Sequence, residues 1–179
     1  MKGIVFVGFF ELVEKEFGYE MVDKLIDACN LESKGIYTSV GTYSHNEMVQ
    51  LLTKLSEYSG LETSVLLKTY AKYFSSTHLR KYSVFYEKEP DTFSFIESIH
   101  DHIHVEVKKL YPDAQLPHFQ SKRISDTALE LTYTSVRKMS DFAEGLIEDT
   151  ALYYGEKIAI DKQFLETDGS KVLFTITKL

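Results

Sequence analysis

Residues 95–112, FIESIHDHIHVEVKKLYP, place half of the chain's six histidines, His100, His102 and His104, within five positions. Read as a helix, the stretch lines up Ile96, Ile99, Ile103, Val107 and Leu110 as one apolar stripe. His100 and His104 then lie on the flank of that stripe, and His102 points away to solvent. Read as a strand, it would put all three on one face. The stripe covers about four turns, longer than most strands, so the helix is the better reading. A histidine beside such a stripe can pack or can ligate, and the stretch by itself leaves both open.

Upstream, the sequence reads as helices as far as Tyr111. Phe6, Phe9, Phe10, Val13 and Phe17 recur at helical spacing. The apolar run at residues 4–10 passes straight into Glu11, Glu14 and Lys15 without a small-residue cleavage site, which predicts a first helix of the mature protein rather than a leader. YEMVDKLIDACNL repeats the pattern, SHNEMVQLLTKLSEYSG offers Ser44 as N-cap and Gly60 as stop, and LETSVLLKTYAKYF continues with Val65, Leu66, Tyr70 and Phe74. Pro90 and Asp91 open the histidine helix and Pro112 ends it.

Downstream, the period changes. HFQSKRIS and LELTYTS alternate around SDTA, as an antiparallel hairpin does. RKMSDFAEGLIEDTALYYG returns to helical spacing through Met139, Phe142, Leu146, Ile147 and Leu152, closing at Gly155. KIAIDKQFLE, TDGS and KVLFTITKL read as a second hairpin. The expectation is an α+β protein, a helical lobe followed by ββαββ with an antiparallel sheet. No linker or repeat interrupts residues 1–179, so one domain is expected, with a helical lobe over about 1–65 and the histidine helix and α/β lobe over about 66–179.

Composition narrows the function. The net charge of −7 gives no electrostatic reason to expect nucleic acid or an anionic membrane. No run approaches the roughly 20 apolar residues of a membrane span. The lone Cys29 excludes an internal disulfide and a Cys-rich zinc site, and makes a reducing, cytoplasmic setting the default. Twelve Phe and twelve Tyr, with no Trp, are a high aromatic load that suits a large flat apolar ligand.

IHVEVKKLYPDAQLP, followed by YTSVRK and AEGLIE and preceded by the opening MKGIVF, resembles the H-NOX family, haem nitric oxide/oxygen binding domains related to the sensor domain of soluble guanylate cyclase. The resemblance covers essentially the whole chain. Its most specific piece is Tyr-x-Ser-x-Arg, here Tyr133, Ser135 and Arg137, about thirty residues after the histidines with Pro117 between. The resemblance implies haem b between the two lobes, with His104, seven residues before Tyr111, as the proximal iron ligand. Tyr133, Ser135 and Arg137 would hold the two propionates, and on an extended segment positions i, i+2 and i+4 share a face. Val5, Phe9, Phe74, Phe142 and Leu146 would line the distal side, and Pro117 would press on the haem face.

By the same resemblance the protein is a sensor rather than an enzyme. Nitric oxide binding would weaken the bond to His104 and free its helix to move, and a partner in trans would read that motion. A sensor histidine kinase or a cyclic-di-nucleotide enzyme is the implied partner. Oxygen-holding relatives use a distal Tyr as donor, and here that position is Phe142. The expected ligands are therefore nitric oxide and carbon monoxide, with oxygen excluded. An oxygen-binding sensor remains the alternative if His78, one turn beyond Phe74, reaches the pocket. Some relatives carry a Cys-ligated zinc; Ser140 and Phe164 stand where such cysteines would fall, so no zinc is expected. A rival from another class is a non-haem metalloenzyme using His100 and His104 with Glu97 or Asp101.

Overall fold

The computed structural model describes residues 1–179, the side chain of Leu110 excepted. The helical part runs α1 Gly3–Phe17, α2 Tyr19–Ala28, α3 His45–Ser59 and α4 Thr63–Thr77. A 3-10 turn Leu79–Tyr82 and α5 Ser83–Glu87 follow. Ser44 caps α3 by accepting from the Asn46 amide at 3.3 Å, and Gly60, at φ 72°, closes it in the left-handed region that glycine reaches without strain.

The histidine stretch is helical but not one α-helix. It is built as α6 Thr92–Ser98, a π turn Ile99–Ile103 and α7 His104–Leu110. The His104 amide donates to the Ile99 carbonyl, an i→i+5 bond. That wider turn rotates the side chains on either side of it relative to a regular stripe. Ile96 is buried, whereas Ile99, Ile103 and Val107 are only half-buried; the expected stripe member Leu110 lies outside the described side chains.

The sheet has β1 His118–Ser125, β2 Ala128–Thr134, β3 Ile158–Phe164 and β4 Lys171–Lys178, in the order β1-β2-β4-β3, all antiparallel. Alternation along β2 and β4 turns Leu129, Leu131, Tyr133, Val172, Phe174 and Ile176 to one face, where all are buried. α8 Ser140–Tyr153 lies between the two cores. Its Ala143 and Ile147 pack on the sheet with Phe93 and Ile96, while Phe142 packs into the helical cluster. Gly145 lets α8 approach α4 closely, since a Cβ there would sit 2.7 Å from the Lys68 carbonyl oxygen. The α+β arrangement of a helical part followed by ββαββ is thus the one expected. The lobe boundary expected near residue 65 falls inside α4, whose Leu66, Leu67, Tyr70 and Phe74 all belong to the helical cluster.

Candidate functional site

His104 opens α7 directly after the π turn, and its ring lies 5.7 Å from that of Phe119 on β1. Burial, then the positive neighbours His100, Lys108 and His118, push its imidazole down to about 4. It is therefore neutral at physiological pH, the form in which imidazole binds a metal. His102 is exposed, in the outward position expected of it. It lines a cleft of about 790 Å³ with Val84, Phe85, Ser98, Ile103 and Val105, on a side of the helix that His104 does not line. His100 departs from its expected place beside the core. It is exposed and meets the edge of His118, ring centroids 4.4 Å apart, because the π turn carries it off the α-helical flank.

Tyr133, Ser135 and Arg137 do come together, though not along a strand. β2 ends at Thr134, and the chain turns through residues 135–138, where the Lys138 amide donates to the Ser135 carbonyl at 3.2 Å and Lys138 takes φ 55°. The equal-facing geometry of an extended segment therefore does not apply; a turn makes the convergence. Tyr133 is buried, and its hydroxyl accepts from the Met139 amide at 3.0 Å. The Ser135 hydroxyl accepts from the Arg137 amide at 3.2 Å. The Ser135 hydroxyl also lies within hydrogen-bonding reach of the Tyr133 hydroxyl. The Arg137 guanidinium is half-buried, and burial lowers its pKa. It has no carboxylate partner among the described residues. A half-buried cation without a carboxylate partner, beside two hydroxyl groups, suits an anion.

Of the residues expected on the distal side, Val5, Phe9, Phe74 and Phe142 belong to one cluster, with a residue at its centre that sequence reasoning counted only as core. Tyr70 of α4 is fully buried, with Phe9, Phe74 and Phe142 at ring-centroid distances of 5.5, 5.8 and 5.2 Å. Its hydroxyl donates to the Val5 carbonyl. Leu146 lies one helical turn after Phe142 on α8, half-buried. Pro117 is half-buried immediately before β1. His78 stacks on Phe74 at 4.9 Å, with Nδ1 2.8 Å from the Thr77 hydroxyl and Nε2 3.5 Å from the exposed Glu11 carboxylate. Nδ1 is thereby engaged on α4, and Nε2 is turned toward α1. Phe119 and His118 were also missed; the alternation of β1 after Pro117 was the signal for Phe119, and nothing marked His118.

The arrangement suits haem better than a bare metal. Among the described residues no three His, Cys, Asp or Glu side chains gather where they could hold a metal ion. The rival set is also broken up, since Glu97 makes a two-pronged pair with Arg123 at 3.1 and 2.6 Å. One neutral imidazole, an anion-seeking Arg-Ser-Tyr corner and an aromatic wall are the donor set that a porphyrin with two carboxylates asks for.

A mixed α+β fold with a half-buried, neutral imidazole on one helix and an unpaired guanidinium in the turn after β2 fits the class of haem-pocket domains. The haem-NO-binding family matches over residues 2–162, and the chain belongs to that family, the H-NOX proteins. Its structure is similar to the ferrous, unliganded H-NOX protein from K. algicida, 42% identical, with 100% of this chain and 97% of that one covered and a TM-score of 0.96. It is similar to the H-NOX protein from Shewanella woodyi solved in the Fe(II)CO state with IWP-051 bound, at 40% identity, 100% and 95% coverage and a TM-score of 0.84. An H-NOX protein from S. oneidensis in the Fe(II)NO state shares the fold at 24% identity, 100% and 99% coverage and a TM-score of 0.91. No curated protein matches the chain. H-NOX domains are haem-based gas sensors and not catalysts, and among the described residues no helix is long and apolar enough to cross a membrane.

Proposed function

We propose that this chain is a single sensor domain for nitric oxide that also binds carbon monoxide, excludes oxygen and signals to a separate protein. The observation that carries the reading is His104, a half-buried, neutral imidazole 5.7 Å from the Phe119 ring, on a helix that precedes the unpaired Arg137 guanidinium in sequence. Haem b, when bound, supplies a ferrous iron with one coordination position open to a diatomic gas. His104 would hold the iron with an imidazole that is already neutral at physiological pH. Arg137, with the Ser135 and Tyr133 hydroxyls, donates to the propionates. Val5, Phe9, Phe74, Phe142 and Leu146 close the distal side with apolar surface that keeps water out and offers no donor, while Pro117 bears on the haem face.

The π turn gives His104 somewhere to go. A helix with one i→i+5 turn next to the ligand has a local slack, and such turns recur at functional sites. Loss of the His104 bond on nitric oxide binding would let α7 settle into a second position, a population shift that a partner can read. A sensor histidine kinase or a cyclic-di-nucleotide enzyme in the cytoplasm fits that output. The ferrous state of the K. algicida relative and the Fe(II)CO state of the S. woodyi relative support the same chemistry here.

The test is an absorption spectrum. Protein purified from haem-replete cells and reduced with dithionite is expected to show a Soret band that moves on adding carbon monoxide and moves differently on adding nitric oxide. A colourless protein that takes up no added haem overturns the reading.

A further inference from the structure

Tyr70 is the largest fully buried side chain in the molecule, and nothing in the sensing scheme uses it. It stands on α4 inside the cluster of Phe9, Phe74 and Phe142, and its hydroxyl donates to the carbonyl of Val5 on α1. Phe9 lies one turn beyond Val5 on that same helix. The bond therefore ties together the two helices that carry Val5, Phe9 and Phe74. Val5, Phe9, Phe74, Phe142 and Leu146 have no polar side-chain atom, whereas Tyr70, ringed by Phe9, Phe74 and Phe142, carries a hydroxyl. It has a single proton, and Val5 holds it. Turning the proton elsewhere would mean rotating a ring wedged among three others in a close-packed core, with loss of the existing bond.

We propose that Tyr70 is a positioning residue for gas binding: by fixing α4 to the Val5 carbonyl it holds the distal wall closed, and it keeps its own hydroxyl away from the ligand. The inference rests on the proposed function, because it takes Val5, Phe9, Phe74, Phe142 and Leu146 as the distal wall. It adds that gas access and the lack of a distal donor are set by one interhelical hydrogen bond as well as by Phe142.

The experiment compares haem-loaded wild type with Tyr70→Phe. The variant should keep its Soret band and bind carbon monoxide severalfold faster, because α1 is no longer tied to α4. Its bound C–O stretching frequency should match the wild type, because the hydroxyl does not touch the ligand. A shifted C–O frequency would show the hydroxyl facing the gas, and an unchanged association rate would reduce Tyr70 to packing; either result overturns the proposal. If Tyr70→Phe does not fold, wild type grown and measured in D₂O decides instead. An isotope shift of the C–O stretch overturns the proposal, and its absence, with a Tyr hydroxyl proton slow to exchange, supports it. Wild type that binds no haem sinks the function reading and this inference together, whereas a wild-type Soret band with either adverse result sinks this inference alone.

Discussion

The His104 imidazole rests against the Phe119 ring, centroids 5.7 Å apart and planes at 40°, and Phe119 in turn lies 5.7 Å from Tyr133. One aromatic ring thus stands between the histidine helix and the strand that leads into the Ser135–Arg137 turn. Any displacement of α7 is felt by a residue whose neighbour on β2 holds the start of α8 through the Met139 amide. The proposed ligand and the proposed propionate corner are therefore packed as one unit rather than as separate sites.

His104→Gly is expected to purify without haem, or with haem only when imidazole is supplied to fill the space. His102→Ala should keep the wild-type spectrum, since His102 is exposed on a different side of the helix. The comparison is made by the Soret absorbance per protein. Loss of haem in His102→Ala with retention in His104→Gly would falsify the assignment of the ligand.

Arg137→Ala removes the one half-buried guanidinium of the corner and leaves two propionates with hydroxyl donors only. Hydrogen bonds to charged groups contribute about 1.5–3 kcal/mol, so haem should dissociate about ten- to a hundredfold faster. Transfer of haem to an apo-globin scavenger measures that rate. Arg137→Lys should recover part of the loss, as a point charge without the planar fork. A wild-type transfer rate in Arg137→Ala removes Arg137 from the site.

Asp91 starts the histidine helix, accepting from the Ser94 amide at 2.8 Å and from Lys178 at 2.9 Å. Burial opposes its ionisation, but these two donors prevail and hold the carboxyl at about 2. A depressed carboxyl stabilises the fold above its ordinary value of 3.8, and that contribution is lost as pH falls from 3.8 towards about 2. Asp91→Ala should cost about 1–2 kcal/mol in thermal or urea unfolding at pH 7. Asp91→Asn keeps a capping oxygen and loses the charge, so its deficit should be smaller, should shrink as pH falls from 3.8 and should vanish only below about pH 2, where wild-type Asp91 becomes protonated. A deficit that stays constant over that range rules out the charge as the cause.

Much of this fold could be read from periodicity, and the departures share a cause. The change from helical to alternating spacing after Pro117 predicts the sheet, because strand side chains that share a core must recur every second residue. The π turn could not be read, because its extra residue leaves no mark in an apolar pattern already spaced at three and four. His100 consequently stands exposed where a regular helix would have put it on the flank of the apolar stripe. Val65 and Leu152 fit their helical stripes yet are exposed, 49% and 71%, because a stripe says which face is apolar and not how far a neighbouring element covers it. Tyr133, Ser135 and Arg137 were legible as a set but not as a turn. Tyr70 was legible as core; its bond to Val5 joins residues 65 positions apart, which no local pattern encodes.

Gas selectivity is the most exacting consequence of the distal wall. Stable oxygen binding needs a donor near the bound ligand, since oxygen gains more polar character on binding than nitric oxide or carbon monoxide do. Phe142, Phe74 and Phe9 offer none. Tyr70 directs its proton to Val5, and His78 has Nδ1 on the Thr77 hydroxyl and Nε2 turned toward Glu11. The ferrous protein is therefore expected to bind nitric oxide and carbon monoxide and to form no lasting oxygen complex in air, turning to the ferric state instead. A single donor is worth about 1 kcal/mol or more, several-fold to tenfold in affinity. Phe142→Tyr would supply the missing hydroxyl on α8, but the new ring has Tyr70 5.2 Å and Phe74 6.0 Å from its centroid. These neighbours fix where its hydroxyl can point, so the substitution alone should raise oxygen affinity only modestly. Spectra taken in air-saturated buffer after reduction and desalting check both statements. A persistent oxygen-bound spectrum in the wild type defeats the selectivity argument, and its disappearance in Tyr70→Phe or His78→Phe would identify which residue had been the donor.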